Sequence, residues 1–314
     1  MTAPVLQSTI AAEVRDHLQR TPRQLPTWLL YDSLGSALFD AICELPWYGI
    51  TRAEMQLLAA HRREIFGNLP DVSQIVELGP GDGRKLLTLA EGTTQPLIAH
   101  LVDVSAGALD RAAHTLSSAA HVVVSGHQAS FEDGLDDIAR LRADGRTLVL
   151  LLGSNIGNFE PQAAAALLGR VRASLESGDA LLIGADLVKP ERDLLIAYDD
   201  PLGVSAAFNL NILERINREL GANFDLRAFR HRAVWNAACS RMEMFVVSTV
   251  AQRVDIRAID LHIALQPGEC IWTESSYKYS PERLLRQLED AGFVTVEQWI
   301  DGEAAFALTL TEVN

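Results

Sequence analysis

The sequence predicts an α/β fold, an open doubly wound sheet accompanied by a second, α+β domain. Three observations predict it. Apolar strand-like runs alternate with helical segments between residues 75 and 185. The run IVELGPGDG at 75–83 passes from an apolar strand through an acid into glycines at alternate positions. The next strand then ends in Asp103. A strand entering a turn of small residues, followed by a strand tipped with a carboxylate, is how such a sheet grips an adenine nucleoside. A cofactor-using enzyme is therefore the leading reading.

The elements follow in order. AAEVRDHLQR at 10–19 reads as a helix that the prolines of TPRQLP end, and 35–44 as another, stopped by Leu45-Pro46. Thr51 is expected to cap a helix running to Gly67, with Glu54 completing a capping box. Strand 75–78 leads through the glycine turn to helix 82–90, strand 97–102 to helix 105–118, and strand 121–125 to a helical DGLDDIARL at 133–141. TLVLLL at 147–152 is apolar throughout and should be central, buried on both faces. Pro161 suits the first turn of the helix PQAAAALLGRVRASL, and strand 180–185 completes a parallel set joined by crossovers. After Lys189-Pro190 the alternation stops: 191–235 reads as mostly helical, and 241–249, 253–257 and 260–265 as short strands. Helix 281–291 follows, and TVEQWI and AFALTL should form two strands around a DG turn at 301–302. The expected division is a cofactor-binding core of 55–190 plus 280–314 and a substrate-binding domain of 1–54 plus 191–279. That arrangement suits a small substrate enclosed between domains.

Composition narrows the partners. The 314 residues are 48% apolar and 22% charged, enough for a real core in one large body or two domains, with disorder expected only near the N-terminus. A net charge of −14, with the basic residues scattered among acids, repels a phosphate backbone and argues against nucleic acid. Cys43, Cys239 and Cys270 are too few and too far apart for a zinc knuckle or a disulfide framework, and they fit a reducing compartment. The opening MTAPVLQST lacks a basic n-region and an apolar h-region, and no apolar stretch reaches spanning length. A cytoplasmic chain without a membrane partner is expected, and no apolar stripe marks an interface, so a monomer is expected too.

Three clusters could carry chemistry. Gly79, Gly81 and Gly83 are spaced G-x-G-x-G instead of the G-x-G-x-x-G of a pyrophosphate clamp, and Glu77 would repel a diphosphate. A cationic cofactor without phosphate tolerates both features, and S-adenosylmethionine has that character. Asp103 can accept from both ribose hydroxyls. Read otherwise, the glycines only make a turn and Asp103 only caps the next helix. LLGSNIGNFEP at 151–161 delivers Gly153, Gly157 and Asn158 to a strand's carboxyl end. Asn158 offers a donor and an acceptor to an amino-acid head group, or else caps the helix after it. In IWTESSYKY at 271–279, an extended chain puts Trp272, Glu274 and Ser276 on one face, where a carboxylate and a hydroxyl address a small polar ring; a solvent-facing edge strand would look the same. Tyr31, Tyr48 and Tyr198 fall in the second domain and either orient a ligand or pack a core. The histidines make no H-x-x-x-H pair, and neither a G-x-S-x-G elbow nor a G-K-[ST] loop occurs, so no metal is expected.

Several motifs together, YDSLGSALFDAI at 31–42, TRAEMQLL at 51–58, VELGPGDG, LLGSNIGNFEP, GADLVKPERDLLIAYDD at 184–200, GVSAAFNLNILERINREL at 203–220 and TESSYKYSPE, run over almost the entire chain. By them the sequence resembles the S-adenosylmethionine-dependent L-histidine Nα-methyltransferases of ergothioneine biosynthesis. The resemblance implies a class I methyltransferase (Rossmann-like) core with a family-specific substrate-binding domain. It implies trimethylation of the α-amine of histidine to hercynine, with S-adenosylhomocysteine as the other product. By motif, Asn158 and Tyr198 resemble the residues that bind the substrate carboxylate, Gly153 one near the amine, and Tyr31 the one that approaches the amine. Tyr31 and Asn158 are accordingly the implied catalytic pair. Glu274 and Ser276 resemble the pair that hydrogen-bonds the imidazole nitrogens, with Phe39, Tyr48 and Met244 around the ring. Glu77, Gly79, Gly81, Gly83, Asp103, Ser130 and Phe131 are the implied cofactor contacts. Departures exist: Pro80 and Asp82-Gly83 replace small hydroxyl residues, Trp47-Tyr48-Gly49-Ile50 replaces a tyrosine-proline version, and Ser130 stands where an acid would meet adenine. The implied partner is free L-histidine or another small amino acid. Two rival readings stand: a related methyltransferase of another amino acid or small amine, and a non-catalytic nucleoside-binding protein.

Overall fold

The computed structural model describes residues 3–138, 140 and 144–314, so the far end of the predicted helix DGLDDIARL, at 139 and 141, lies outside the described residues. The helices are α1 (Ala3–Gln19), α2 (Ser33–Cys43), α3 (Ile50–Asn68), α4 (Arg84–Ala90), α5 (Ala106–Leu116), α6 (Phe131–Ile138), α7 (Pro161–Ala173), α8 (Glu191–Tyr198), α9 (Val204–Leu220) and α10 (Pro281–Asp290). The strands are β1 (Val72–Leu78), β2 (Leu97–Asp103), β3 (Val122–Gln128), β4 (Arg146–Leu151), β5 (Ala180–Asp186), β6 (Phe229–Asn236), β7 (Arg241–Ser248), β8 (Gln252–Ile256), β9 (Leu261–Leu265), β10 (Cys270–Tyr277), β11 (Val294–Asp301) and β12 (Phe306–Glu312). They divide into two units, Met1–Gly49 with Lys189–Ser276, and Ile50–Val188 with Tyr277–Asn314.

The larger sheet belongs to the second of these units. Its order is β11-β12-β5-β4-β1-β2-β3, with β1 to β5 parallel and β12 antiparallel to both β5 and β11. Numbered within the sheet, that is 6-7-5-4-1-2-3, the order of the class I methyltransferase core. TLVLLL is central as its composition predicts: β4 lies between β1 and β5 with Leu148, Val149, Leu150 and Leu151 buried. The strand order reverses at β1, whose neighbours are β2 and β4, and a sheet of this kind opens its ligand crevice at such a point, beyond the strands' carboxyl ends. The segments leaving β1, β2 and β4 there are the glycine turn, Asp103 and Gly153.

Two local expectations are corrected. Glu54 forms no capping box; its carboxylate is drawn into the unit by long-range partners described below. The closing hairpin does not turn on two residues at 301–302, because β11 ends at Asp301 and β12 starts at Phe306; Asp301 accepts the Ala304 N–H at 2.7 Å, and Ala305 takes a φ of 50°.

The other unit combines a three-stranded sheet, order β10-β7-β6, with the β8-β9 pair. Phe208, Ile212, Leu213, Ile216 and Leu220 recur at helical spacing on α9 and form its buried face. Asp32 caps α2 by accepting the Gly35 N–H, and it also accepts from Asn211 and Arg218 of α9, so one carboxylate ties the two helices. The mostly helical expectation for 191–235 fails at its end, where FRHRAVWN forms β6 and pairs antiparallel with β7. No helix among the described residues is long and apolar enough to cross a membrane.

Candidate active site

The glycine turn is built from left-handed backbone: φ is 77° at Gly79, 60° at Gly81 and 80° at Gly83, conformations that cost an L side chain strain. The three differ in what surrounds them. A Cβ on Gly79 would stand 2.8 Å from Asn155 Nδ2 and 3.3 Å from the Phe131 ring, and one on Gly83 2.9 Å from the Ala112 backbone. A Cβ on Gly81 would meet nothing within 4 Å. Gly83 thus packs the turn onto α5, whereas Gly81 faces open space. Arg84 is engaged by its neighbour Asp82.

Acids dominate the ground beneath this turn. Glu54 of α3 is fully buried, accepts the Gly153 N–H on both oxygens at 2.8 and 2.9 Å, and pairs with Lys85 Nζ at 2.6 Å. Gly184 of β5 makes room for it, since a Cβ there would sit 2.0 Å from Glu54 Oε1. Glu54 and Lys85 were missed from the sequence because their partners are far along the chain. Glu77, at the end of β1, is buried, and neither carboxylate oxygen has a hydrogen-bond partner among the described residues. Burial pushes its pKa up to about 8 against the attraction of Lys85, while Glu54 and Asp82 add to the rise.

At the end of β2, Asp103 Oδ1 accepts the Ser105 N–H at 2.8 Å, but the cap of α5 is Ser105 itself, so the capping reading of Asp103 does not hold. Burial raises the Asp103 pKa despite the Ser105 N–H and the nearby Arg111. Ser130 caps α6, accepting the Asp133 N–H at 3.1 Å, which accounts for its hydroxyl, while the Phe131 ring lies over Gly79. Asn158 ends a 3-10 turn, Asn155–Asn158, reached through Gly153 (φ 73°) and a left-handed Ser154 (φ 58°). Asn158 does not cap α7, whose first position is Pro161 after Glu160. Gly157 is packed closely: a Cβ there would stand 2.7 Å from the Tyr277 carbonyl oxygen. Lys278, fully buried, pairs with Asp186 at 2.8 Å, a structural use of the lysine in TESSYKY.

Glu77 decides which cofactor fits. A buried acid with neither oxygen hydrogen-bonded among the described residues, beside Asp103 and the ion-paired Glu54 and Asp82, gains a partner from a positively charged ligand and disfavours a diphosphate. S-adenosylmethionine, cationic and free of phosphate, meets that requirement.

A second set of side chains forms within the other unit. The Tyr31 ring packs edge-on against Phe39 and Phe208 with centroids 5.6 and 5.5 Å apart, and Tyr48 against Phe39 and Tyr198 at 6.2 and 6.4 Å. Phe208 was not singled out in the sequence, where it reads only as one apolar residue of a helix. On β10, Glu274 and Ser276 point to one face and are 8% and 5% exposed, so this edge strand does not present them to solvent. Trp272 alternates onto the same face by sequence, and its ring N–H donates to the Glu274 carbonyl at 2.8 Å. Met244 of β7 is buried. The Tyr198 hydroxyl donates to Ser276 Oγ at 2.8 Å. Among the described residues no group of three or more potential ligands could hold a metal ion.

Known proteins share this pattern. A family model described as histidine-specific methyltransferase, SAM-dependent, matches residues 10–313. The histidine N-alpha-methyltransferase of Mycolicibacterium smegmatis is 38% identical over 314 residues, covering 99% of this chain and 97% of that protein. Ergothioneine biosynthesis protein 1 of Neurospora crassa is 32% identical over 289 residues, covering 90% of this chain and 32% of that longer protein. A DUF574 family protein from Streptomyces avermitilis, a solved structure, shares the fold with a TM-score of 0.50 at 12% identity, over 90% of this chain and 92% of its own. The chain is a member of the SAM-dependent, histidine-specific methyltransferase family.

Proposed function

We propose that this enzyme transfers methyl groups from S-adenosylmethionine to the α-amine of free L-histidine, up to the trimethylated betaine hercynine, as a step of ergothioneine biosynthesis. The observation that carries the substrate is the buried pair on β10. Neutral imidazole has one N–H and one lone-pair nitrogen. Glu274 accepts from the first and Ser276 donates to the second, and the Tyr198 hydroxyl bonded to Ser276 Oγ polarises that donor. Phe39, Tyr48 and Met244 supply apolar walls. A substrate lacking the two nitrogens would make neither hydrogen bond, forgoing about 0.5–1.5 kcal/mol at the hydroxyl and about 1.5–3 kcal/mol at the carboxylate.

In the unit with the larger sheet, the glycine turn, Glu77, Asp103 and Phe131 hold the cofactor, which when bound supplies an electrophilic methyl group on a sulfonium. Asn158 donates to the substrate carboxylate, and the Gly153 segment, fixed by Glu54, lies near the amine. An α-ammonium group has no lone pair, so the amine must be neutral when it attacks. Positioning supplies much of the rate; Tyr31 orients the amine and passes its proton to water. Because carboxylate and ring anchor the amino acid, the nitrogen can gain methyl groups without loss of either anchor. We also read the enzyme as a cytoplasmic monomer that binds neither nucleic acid nor membrane, in keeping with its charge of −14.

Mass spectrometry of reactions with methyl-labelled cofactor and a panel of free amino acids tests this. Trimethylated histidine is the expected product. A methylated product of another amino acid, or cofactor binding with no product, contradicts the reading.

A further inference from the structure

Asn209 of α9 is fully buried and reaches every strand of the three-stranded sheet. Its Nδ2 donates to the Phe245 carbonyl of β7 at 3.0 Å and to His231 Nδ1 of β6 at 2.8 Å, and its Oδ1 accepts from the Thr273 hydroxyl of β10 at 2.6 Å. A carbonyl oxygen can only accept, so the amide orientation is fixed by Phe245. His231 Nε2 in turn lies 2.9 Å from the Tyr198 carbonyl, again an obligatory acceptor, and therefore carries the proton. With Nδ1 accepting from Asn209 and Nε2–H donating to Tyr198, His231 must be neutral in one tautomer.

These bonds close a circuit. Tyr198 ends α8, and its last carbonyl is satisfied by His231. His231 is held by Asn209, Asn209 holds Thr273, and Thr273 is on the strand of Ser276, which receives the Tyr198 hydroxyl. Both ends of Tyr198, backbone and phenol, are thereby referred to β10. We propose that Asn209 and His231 are positioning residues: they set the separation between Tyr198 and Ser276 and so the affinity for the substrate ring. Neither touches substrate. This rests on the assignment of Ser276 and Tyr198 to histidine recognition. The titratable neighbours of His231 are Asp199 and Asp200; their attraction is outweighed by burial, which lowers the imidazole pKa.

The test compares H231F and N209D with wild type. Phe removes both ring contacts, and Asp cannot donate to Phe245 or His231. A KM for L-histidine raised tenfold or more is expected, with the Kd for S-adenosylmethionine within twofold of wild type by calorimetry and partial recovery of KM in H231Q, which restores a donor. An unchanged histidine KM, or equal losses for both ligands, overturns the positioning role. Should the variants fail to fold, imidazole nitrogen NMR of the wild-type protein still decides. A neutral Nε2–H ring that stays uncharged below the usual histidine range supports the circuit, and an Nδ1–H or charged ring at neutral pH overturns it. If wild type does not methylate histidine, the functional reading fails, while the NMR result still judges the circuit.

Discussion

Neither carboxylate oxygen of the buried Glu77 has a hydrogen-bond partner among the described residues, and burial outweighs the attraction of Lys85, which has a measurable sign. Its pKa rises from 4.5 to about 8 on folding, so across that window the folded chain keeps a proton that the unfolded chain has released. Stability must then fall as pH rises, with the cost absent below the lower value and complete above the higher. In ligand-free protein, E77Q should therefore flatten the decline of Tm with pH across this window, measured by thermal denaturation in a buffer series. Parallel curves for variant and wild type would contradict a carboxyl whose charge burial penalises. Residues of this kind were only half legible in the sequence. Glu77 announced itself by its place before the glycines, but Glu54 matched a capping box by spacing alone, and nothing local betrays partners as distant as Lys85 and Gly153.

Among elements, the glycine turn separates folding from binding. Gly83→Ala adds a clash with Ala112 to the left-handed strain of about 1–2 kcal/mol, whereas Gly81→Ala adds only the strain, with its methyl in open space. G83A should lose more stability by urea denaturation, and G81A should lose cofactor affinity out of proportion to its stability by calorimetry. The same order in both measurements would deny Gly81 a place at the cofactor. This turn and the parallel strands were readable because apolar runs, glycines and capping residues act locally. β6 was not: FRHRAVWN alternates arginines with a part-buried histidine held by hydrogen bonds, so a pattern defined by apolar side chains passes over it. β10 was read as extended, but whether it faced solvent depended on its burial, which periodicity alone does not reveal.

For the whole molecule, the chain order says nothing about sheet order: β12 lies between β5 and β11, and only nonlocal pairing reveals the 6-7-5-4-1-2-3 arrangement. On the proposed reading, the acids and glycines of the larger-sheet unit hold the cofactor, and β10 with its aromatic neighbours reads the substrate's imidazole. Asp103→Ala and Glu274→Ala should consequently fail in opposite ways. The most direct measurement is titration calorimetry of both variants with S-adenosylmethionine and, in the presence of S-adenosylhomocysteine, with L-histidine. E274A should keep the wild-type Kd for S-adenosylmethionine and weaken histidine at least tenfold, and D103A should weaken S-adenosylmethionine first. Equal losses of both ligands in E274A, or histidine binding unchanged, would contradict the account.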